Sequence, residues 1–246
     1  EPHLRDKPVV ILSNNDGCVI ARSNEAKALG IKMGAPAFEC EELFRKNQVH
    51  IYSSNFALYG DMSSRVMNTL AMFTPLMEIY SIDEAFLKFE GFDFYNLKEY
   101  GEKIQKVVTK GTGIPISVGI APTKTLAKVA NKIAKKYPIQ TRSSYVIDTE
   151  QKRIKALKWT DVGDIWGIGA RYALKLRNIG VNNAYQFSQL SDDWVKKELS
   201  IVGLRIKHEL MGNSMLDLEK IQHKKAIATT RSFEKIYTKY EDLSER

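Results

Sequence analysis

Asp83 and Glu84 stand side by side inside Ile79-Tyr80-Ser81-Ile82-Asp83-Glu84-Ala85-Phe86-Leu87, an otherwise apolar run that fits a buried strand. Burying an unpaired carboxylate costs several kcal/mol, and two adjacent carboxylates raise each other's pKa. A pair placed here therefore calls for a cation. Hard divalent ions such as Mg²⁺ take oxygen ligands, commonly one or two carboxylates together with substrate phosphates. Metal-assisted phosphoryl or nucleotidyl transfer is one reading of the pair. The other is the solvated tip of a hairpin with both side chains in water, and the residues alone leave the two level.

Two further patterns could meet a phosphate. At ~100° per residue, Leu126, Val129, Ala130 and Ile133 gather on one side of a helix, with Lys124, Lys128, Asn131 and Lys135 opposite. That polar side is either a solvated lysine face or a row of ammonium groups for phosphates. Asp164-Ile165-Trp166-Gly167-Ile168-Gly169-Ala170 precedes a basic helix, and Asn178-Ile179-Gly180-Val181 follows it. This looks like a helix–hairpin–helix; the plainer reading is a glycine-bearing turn between two helices. Gly167 and Gly169 let the backbone turn tightly at a helix N-terminus, where N–H groups attract phosphate, and Arg171 and Lys175 add charge one turn apart. Such contacts hold a DNA backbone without reading its sequence.

The elements that must position these residues follow from turn and helix signals. Val9–Ser13 and Cys18–Arg22 flank Asn14-Asn15-Asp16-Gly17, a hairpin signal. A helix runs from Asn24 to Leu29 and stops at Gly30, a short one covers 41–46, and His50–Ser53 is a strand. Phe56–Phe73 is helical up to Thr74-Pro75, and the strand from Met77 carries the acidic pair. Residues 97–110 are helical, Pro115–Ile120 is a near-continuous apolar strand expected at the centre of a sheet, and Tyr145–Asp148 is the last strand. The lysine-bearing helix is bracketed by Pro122-Thr123 and Pro138. The order predicts α/β structure around one sheet up to residue 148, then short helices to about residue 216.

Charge divides along the same line. The 246-residue chain carries +8 overall, but residues 1–90 are net −3 and residues 91–246 net +11. A basic C-terminal part suits a polyanion such as nucleic acid. Cys18 and Cys40 fit neither a zinc motif nor a disulfide framework, and a reducing cytoplasm is the expected setting. No apolar run approaches the ~20 residues of a membrane span, and no signal-peptide pattern opens the chain.

The acidic pair, the lysine helix and the glycine turn together resemble the Y-family (translesion) DNA polymerases, in particular their UmuC-like branch. The matching segments are Ser13–Arg22, Glu25–Gly34, Tyr80–Phe86 and Gly119–Lys128, with 162–169 matching the family's thumb, so the likeness covers almost the whole chain. It implies a right hand: fingers over 1–53, α+β palm over 54–148, an all-α helix–hairpin–helix thumb over 149–216, and a linker with the start of a little finger over 217–246. It implies translesion synthesis by two-metal nucleotidyl transfer, with Asp83 and Glu84 as catalytic Mg²⁺ ligands. Lys135 falls where relatives hold the incoming triphosphate. Asn24 and Lys27 fall where many carry Tyr and Arg for that purpose, and Ala21 and Ser23 line the same pocket. Lys27 keeps the charge of that Arg but not its fork. Gly167, Gly169, Arg171 and Lys175 are the DNA contacts. Implied partners are primer-template DNA, dNTP, a processed UmuD-type dimer, a RecA filament and a sliding clamp.

The family opens with a strand bearing a further metal-binding Asp, which this sequence does not contain. Its absence implies an incomplete metal set, a palm sheet with unpaired edges and little or no polymerase activity from the chain as given. Strand alternation also sets Asp83 and Glu84 on opposite faces unless the backbone twists locally. Three rivals stand beside this reading: a non-catalytic DNA-binding protein, another palm-type enzyme such as a nucleotidyl cyclase, and a pseudoenzyme acting through partners.

Overall fold

The structure, a computed structural model, describes residues 2–219 together with Ala226, Ala228 and Glu241. Most of the expected little-finger start therefore lies outside the described residues. Contacts divide the chain into two compact units, and the division falls between Tyr59 and Gly60.

The first unit is built on strands β1 (Val9–Leu12), β2 (Val19–Arg22) and β3 (His50–Ser53), in the order β2-β1-β3, with β2 antiparallel and β3 parallel to β1. The Asn14–Asp16 turn that joins β1 to β2 holds Asn15 and Asp16 at positive φ, which asparagine and aspartate tolerate better than other residues. Helices α1 (Asn24–Ala28) and α2 (Glu41–Lys46) cover the sheet. Val10, Leu12, Val19, Ala26, Ile31, Phe44 and Val49 form its core.

The second unit begins within α3 (Phe56–Leu70). Strands β4 (Met77–Ile79) and β5 (Ala85–Leu87) make an antiparallel hairpin, and α3 and α4 (Leu97–Thr112) pack on it through Met67, Leu70, Ile104 and Val108. Strands β6 (Val118–Ile120) and β7 (Ser144–Val146) run parallel, linked by α5 (Lys124–Lys136) and α6 (Pro138–Thr141). The single sheet expected from the sequence is thus three sheets. Nor is the 115–120 segment central, since among the described residues β6 pairs only with β7. Two cavities, of about 450 and 150 Å³, separate β5 from β6, and both are lined by Phe86, Leu87, Gly119 and Ile120. Among the described residues β5 pairs only with β4, and β6 only with β7.

Helices α7 (Glu150–Trp159), α8 (Ala170–Asn178), α9 (Ala184–Ser188) and α10 (Asp192–Leu210) follow, the last kinked at Ser200, where φ is 68°. They do not form a separate core. Leu126, Val129, Ala130 and Ile133 of α5 share one apolar cluster with Leu157, Ile165, Leu176, Phe187 and Leu199. The join is also polar. Glu209 is fully buried, and its carboxylate accepts the N–H groups of Thr125, Met215 and Leu216 at 3.0, 2.6 and 3.1 Å. Three N–H donors satisfy a buried carboxylate without a cation. The close approach of α5 to β6 depends on Gly119, where an added Cβ would collide with the backbone at Asn131 and Ala127.

Candidate active site and nucleic-acid interface

Asp83 and Glu84 are not in a strand. They occupy the turn between β4 and β5, closed by the N–H groups of Tyr80 and Ser81, which both donate to the Glu84 carbonyl at 3.0 and 3.1 Å. Alternation of strand faces therefore does not apply to them. Asp83 is exposed and accepts a hydrogen bond from the Ser81 hydroxyl at 2.7 Å. Glu84 is half-buried, and its Oε1 meets the Lys128 ammonium at 2.6 Å. The pair divides between the two readings of the sequence, with Asp83 at a solvated tip and Glu84 charge-compensated. No cluster of three or more His, Cys, Asp or Glu occurs among the described residues.

The lysine side of α5 is neither a solvated face nor a free row of ammonium groups. Lys124 pairs with buried Glu78 of β4 at 2.5 Å, with side-chain exposures of 9% and 7%. Lys128 pairs with Glu84, and Lys132 with Asp164 at 2.5 Å. One helix stripe at four-residue spacing thus ties β4, the acidic turn and the glycine turn together. Only the last lysine of the expected row, Lys135, is exposed without a hydrogen-bond or ion-pair partner among the described residues. The partners of the others lie on other elements, so no helical pattern could reveal them. The smaller cavity is lined by Asp83, Glu84, Lys128 and Asn131, and the Asn131 Oδ1 is buried with no hydrogen-bond partner.

In the first unit, Ala21 is exposed on β2, and Asn24 and Lys27 are exposed on α1, where the Lys27 ammonium donates to the Asn24 Oδ1 at 3.3 Å. Ser23 is spent on structure. Its hydroxyl caps α1 at the Ala26 N–H, accepts the Val9 N–H and donates to the Lys7 carbonyl.

The glycine turn has the predicted shape. Gly167 takes φ of 90°, a conformation that other residues adopt only with strain, and an added Cβ there would meet the Ile206 Cδ1. Gly169 is the N-cap of α8 and offers no side chain to its N–H groups. The neighbouring helices differ: Thr149, Asn183 and Ser191 cap α7, α9 and α10 with side-chain oxygens. The first N–H groups of α8 are therefore left for another acceptor. Arg171 is exposed and lies 5.6 Å from the Tyr172 ring centroid. Lys175, expected to meet phosphate, is instead ion-paired with Glu198, whose carboxyl it holds below the usual range. Asp161 caps the 162–164 turn that leads into the glycine turn. Its carboxyl is held below the ordinary aspartate range first by the Gly163 N–H at 2.7 Å and then by Arg177.

Sequence reasoning did not find Trp166 as a link to the acidic turn. Its Nε1 donates to the Tyr80 hydroxyl at 3.0 Å, and its ring lies edge-on to Tyr80 and tilted against Phe86.

Known proteins resemble this chain in sequence and fold. The model of the impB/mucB/samB family matches residues 1–132. UmuC of Salmonella typhimurium is 43% identical over 244 residues, covering 98% of this chain and 58% of that protein. The chain thus spans little more than half the length of this curated relative. Among solved structures, DinB from Sulfolobus solfataricus superposes with a TM-score of 0.71 at 26% identity, over 85% of this chain and 61% of that one. An insertion ternary complex of Dbh DNA polymerase gives 0.70 at 25% identity, over 85% and 62%. The fold is that of the Y-family polymerases, and the chain belongs to the impB/mucB/samB family.

Proposed function

We propose that this chain carries the nucleotidyl-transfer chemistry of a DNA polymerase that copies past damaged bases. The observation that carries the reading is that α5 joins the acidic turn, through Lys128, to the uncapped glycine turn, through Lys132. A catalytic carboxylate and a sequence-independent grip on a phosphate backbone are thereby fixed on one scaffold, which neither a DNA-binding module alone nor a cyclase requires. In this reading 1–53 are fingers, 54–148 palm and 149–216 thumb, with linker beyond.

The acidic turn fits a hard cation. Asp83 Oδ2 and Glu84 Oε2 accept no hydrogen bond among the described residues, and the unpartnered Asn131 Oδ1 lines the same cavity. Asp83 and Glu84 would hold Mg²⁺, which when bound activates the primer 3′-hydroxyl and stabilises the leaving pyrophosphate. Lys128 holds Glu84 in place and offsets its charge. By the resemblance, Asn24 and Lys27 with Ala21 in the first unit, and separately Lys135 in the second, are assigned to the triphosphate, and the N–H groups after Gly167 and Gly169, with Arg171, to the DNA backbone. Lys175 reaches that backbone only by leaving Glu198. The processed UmuD-type dimer, RecA filament and sliding clamp rest on the resemblance alone.

Primer extension with Mg²⁺ and all four dNTPs tests this. Incorporation by the chain, however small, falls to background in Asp83→Ala and in Glu84→Ala. Incorporation that survives both substitutions overturns the proposal.

A further inference from the structure

Trp166 sits where two functions meet. It directly precedes Gly167 in the turn that grips the backbone, yet its side chain belongs to the acidic hairpin. The indole N–H donates to Tyr80, the residue at the base of that hairpin. Its ring centroid lies 5.4 Å from that of Tyr80 at 85° and 5.7 Å from that of Phe86, and the two hairpin rings touch each other at 5.6 Å. The Lys128 ammonium lies 5.3 Å from the Tyr80 centroid and 5.9 Å from that of Trp166, while it pairs with Glu84. The aromatic faces attract the cation and restrict where it can stand, so the rings set the position of the ammonium that holds Glu84. A second tie runs alongside, from Lys132 to Asp164, two residues before Trp166.

We propose that Trp166 is a positioning residue that couples occupancy of the DNA-gripping turn to the geometry of the acidic hairpin, through Tyr80 and through Lys128 on Glu84. The inference rests on the reading of that turn as a DNA contact. A displacement of the turn that moves Trp166 strains its bond to Tyr80 and shifts the ring beside the Lys128 ammonium. By linkage, whatever DNA does to the hairpin through this side chain, a change in the hairpin does to DNA affinity.

The test is hydrogen exchange of the Tyr80 and Ser81 amides, which close the hairpin on Glu84, with and without a saturating short blunt DNA duplex. In the wild-type chain the duplex slows both the 165–171 turn and these two amides, the latter by about 5-fold or more, the lower end of ordinary coupling. In Trp166→Ala the turn is still slowed by DNA, but the two hairpin amides no longer respond. A merely structural role would shift exchange equally with and without DNA and leave the response intact, which overturns the proposal. If Trp166→Ala does not fold, Trp166→Leu and Tyr80→Leu decide, since each removes the Nε1–Oη bond together with one of the rings beside Lys128. An undiminished response in both overturns the proposal. A wild-type hairpin that ignores bound duplex also overturns it and leaves the DNA-grip reading standing. A chain that binds no duplex overturns both.

Discussion

Around the acidic hairpin nearly every charge already has a partner, whereas the glycine turn leaves its attraction for anions open. Glu78 and Glu84 each meet a lysine of α5 that is mostly buried. At the turn, α8 has no capping side chain and Arg171 is exposed. The difference suits the two tasks proposed for these regions. Chemistry on a phosphate needs carboxylates held in fixed geometry before substrate arrives, and fixed geometry comes from packed, paired side chains. Holding a backbone needs only N–H groups and charge that remain available, and a bare helix N-terminus supplies them without a side chain that must reorganise.

The contrast predicts unequal losses. On the hairpin side, Asp83→Ala and Glu84→Ala reduce incorporation the most, by about 10²–10³-fold, as when a group aimed at developing charge is removed. Single-turnover extension measures this. Lys124→Ala leaves Glu78 buried without its cation and lowers stability by about 3 kcal/mol in a urea titration. Lys124→Met with Glu78→Leu recovers most of that loss, because replacing a buried pair by apolar groups is often neutral. On the turn side, Gly167→Ala costs about 1–3 kcal/mol through its positive φ and the contact with Ile206, read from thermal unfolding. Arg171→Ala changes stability little but lowers the slope of log affinity against log salt by about 1.

The smallest effect is one of pH. Asp161 has its folded pKa below the unfolded value, so its contribution is present above the ordinary aspartate range and is lost as pH falls through the lower folded value. The side chain is 48% exposed, which limits the effect to under about 1 kcal/mol. Asp161→Asn removes this part of the acid dependence, and melting temperatures across that window show it.

How much the sequence revealed depends on the range of the interaction involved. The helix α5 was readable because Thr123, Pro138 and the 3.6-residue apolar stripe act locally; Thr123 does cap it, and Leu126, Val129, Ala130 and Ile133 are buried. The glycine turn was readable for the same reason, since the positive φ of Gly167 is a property of one residue. The lysine pairs were not, because Glu78, Glu84 and Asp164 reach α5 only once the β4–β5 hairpin and the loop before α8 have packed against it. The break between β5 and β6 was equally hidden in their composition, since an apolar strand reads alike at an edge or at a centre. Trp166 gave no local signal, because its partner Tyr80 lies 86 residues away.

The central claim is that Asp83 and Glu84 form a metal site. Mn²⁺ added in small steps to the ¹⁵N-labelled chain, with amide line broadening followed by NMR, tests it most directly. The account predicts that residues 80–85 broaden first and that Asp83→Ala and Glu84→Ala each abolish this selective effect. Broadening that begins elsewhere, or that persists at the hairpin in both variants, contradicts it.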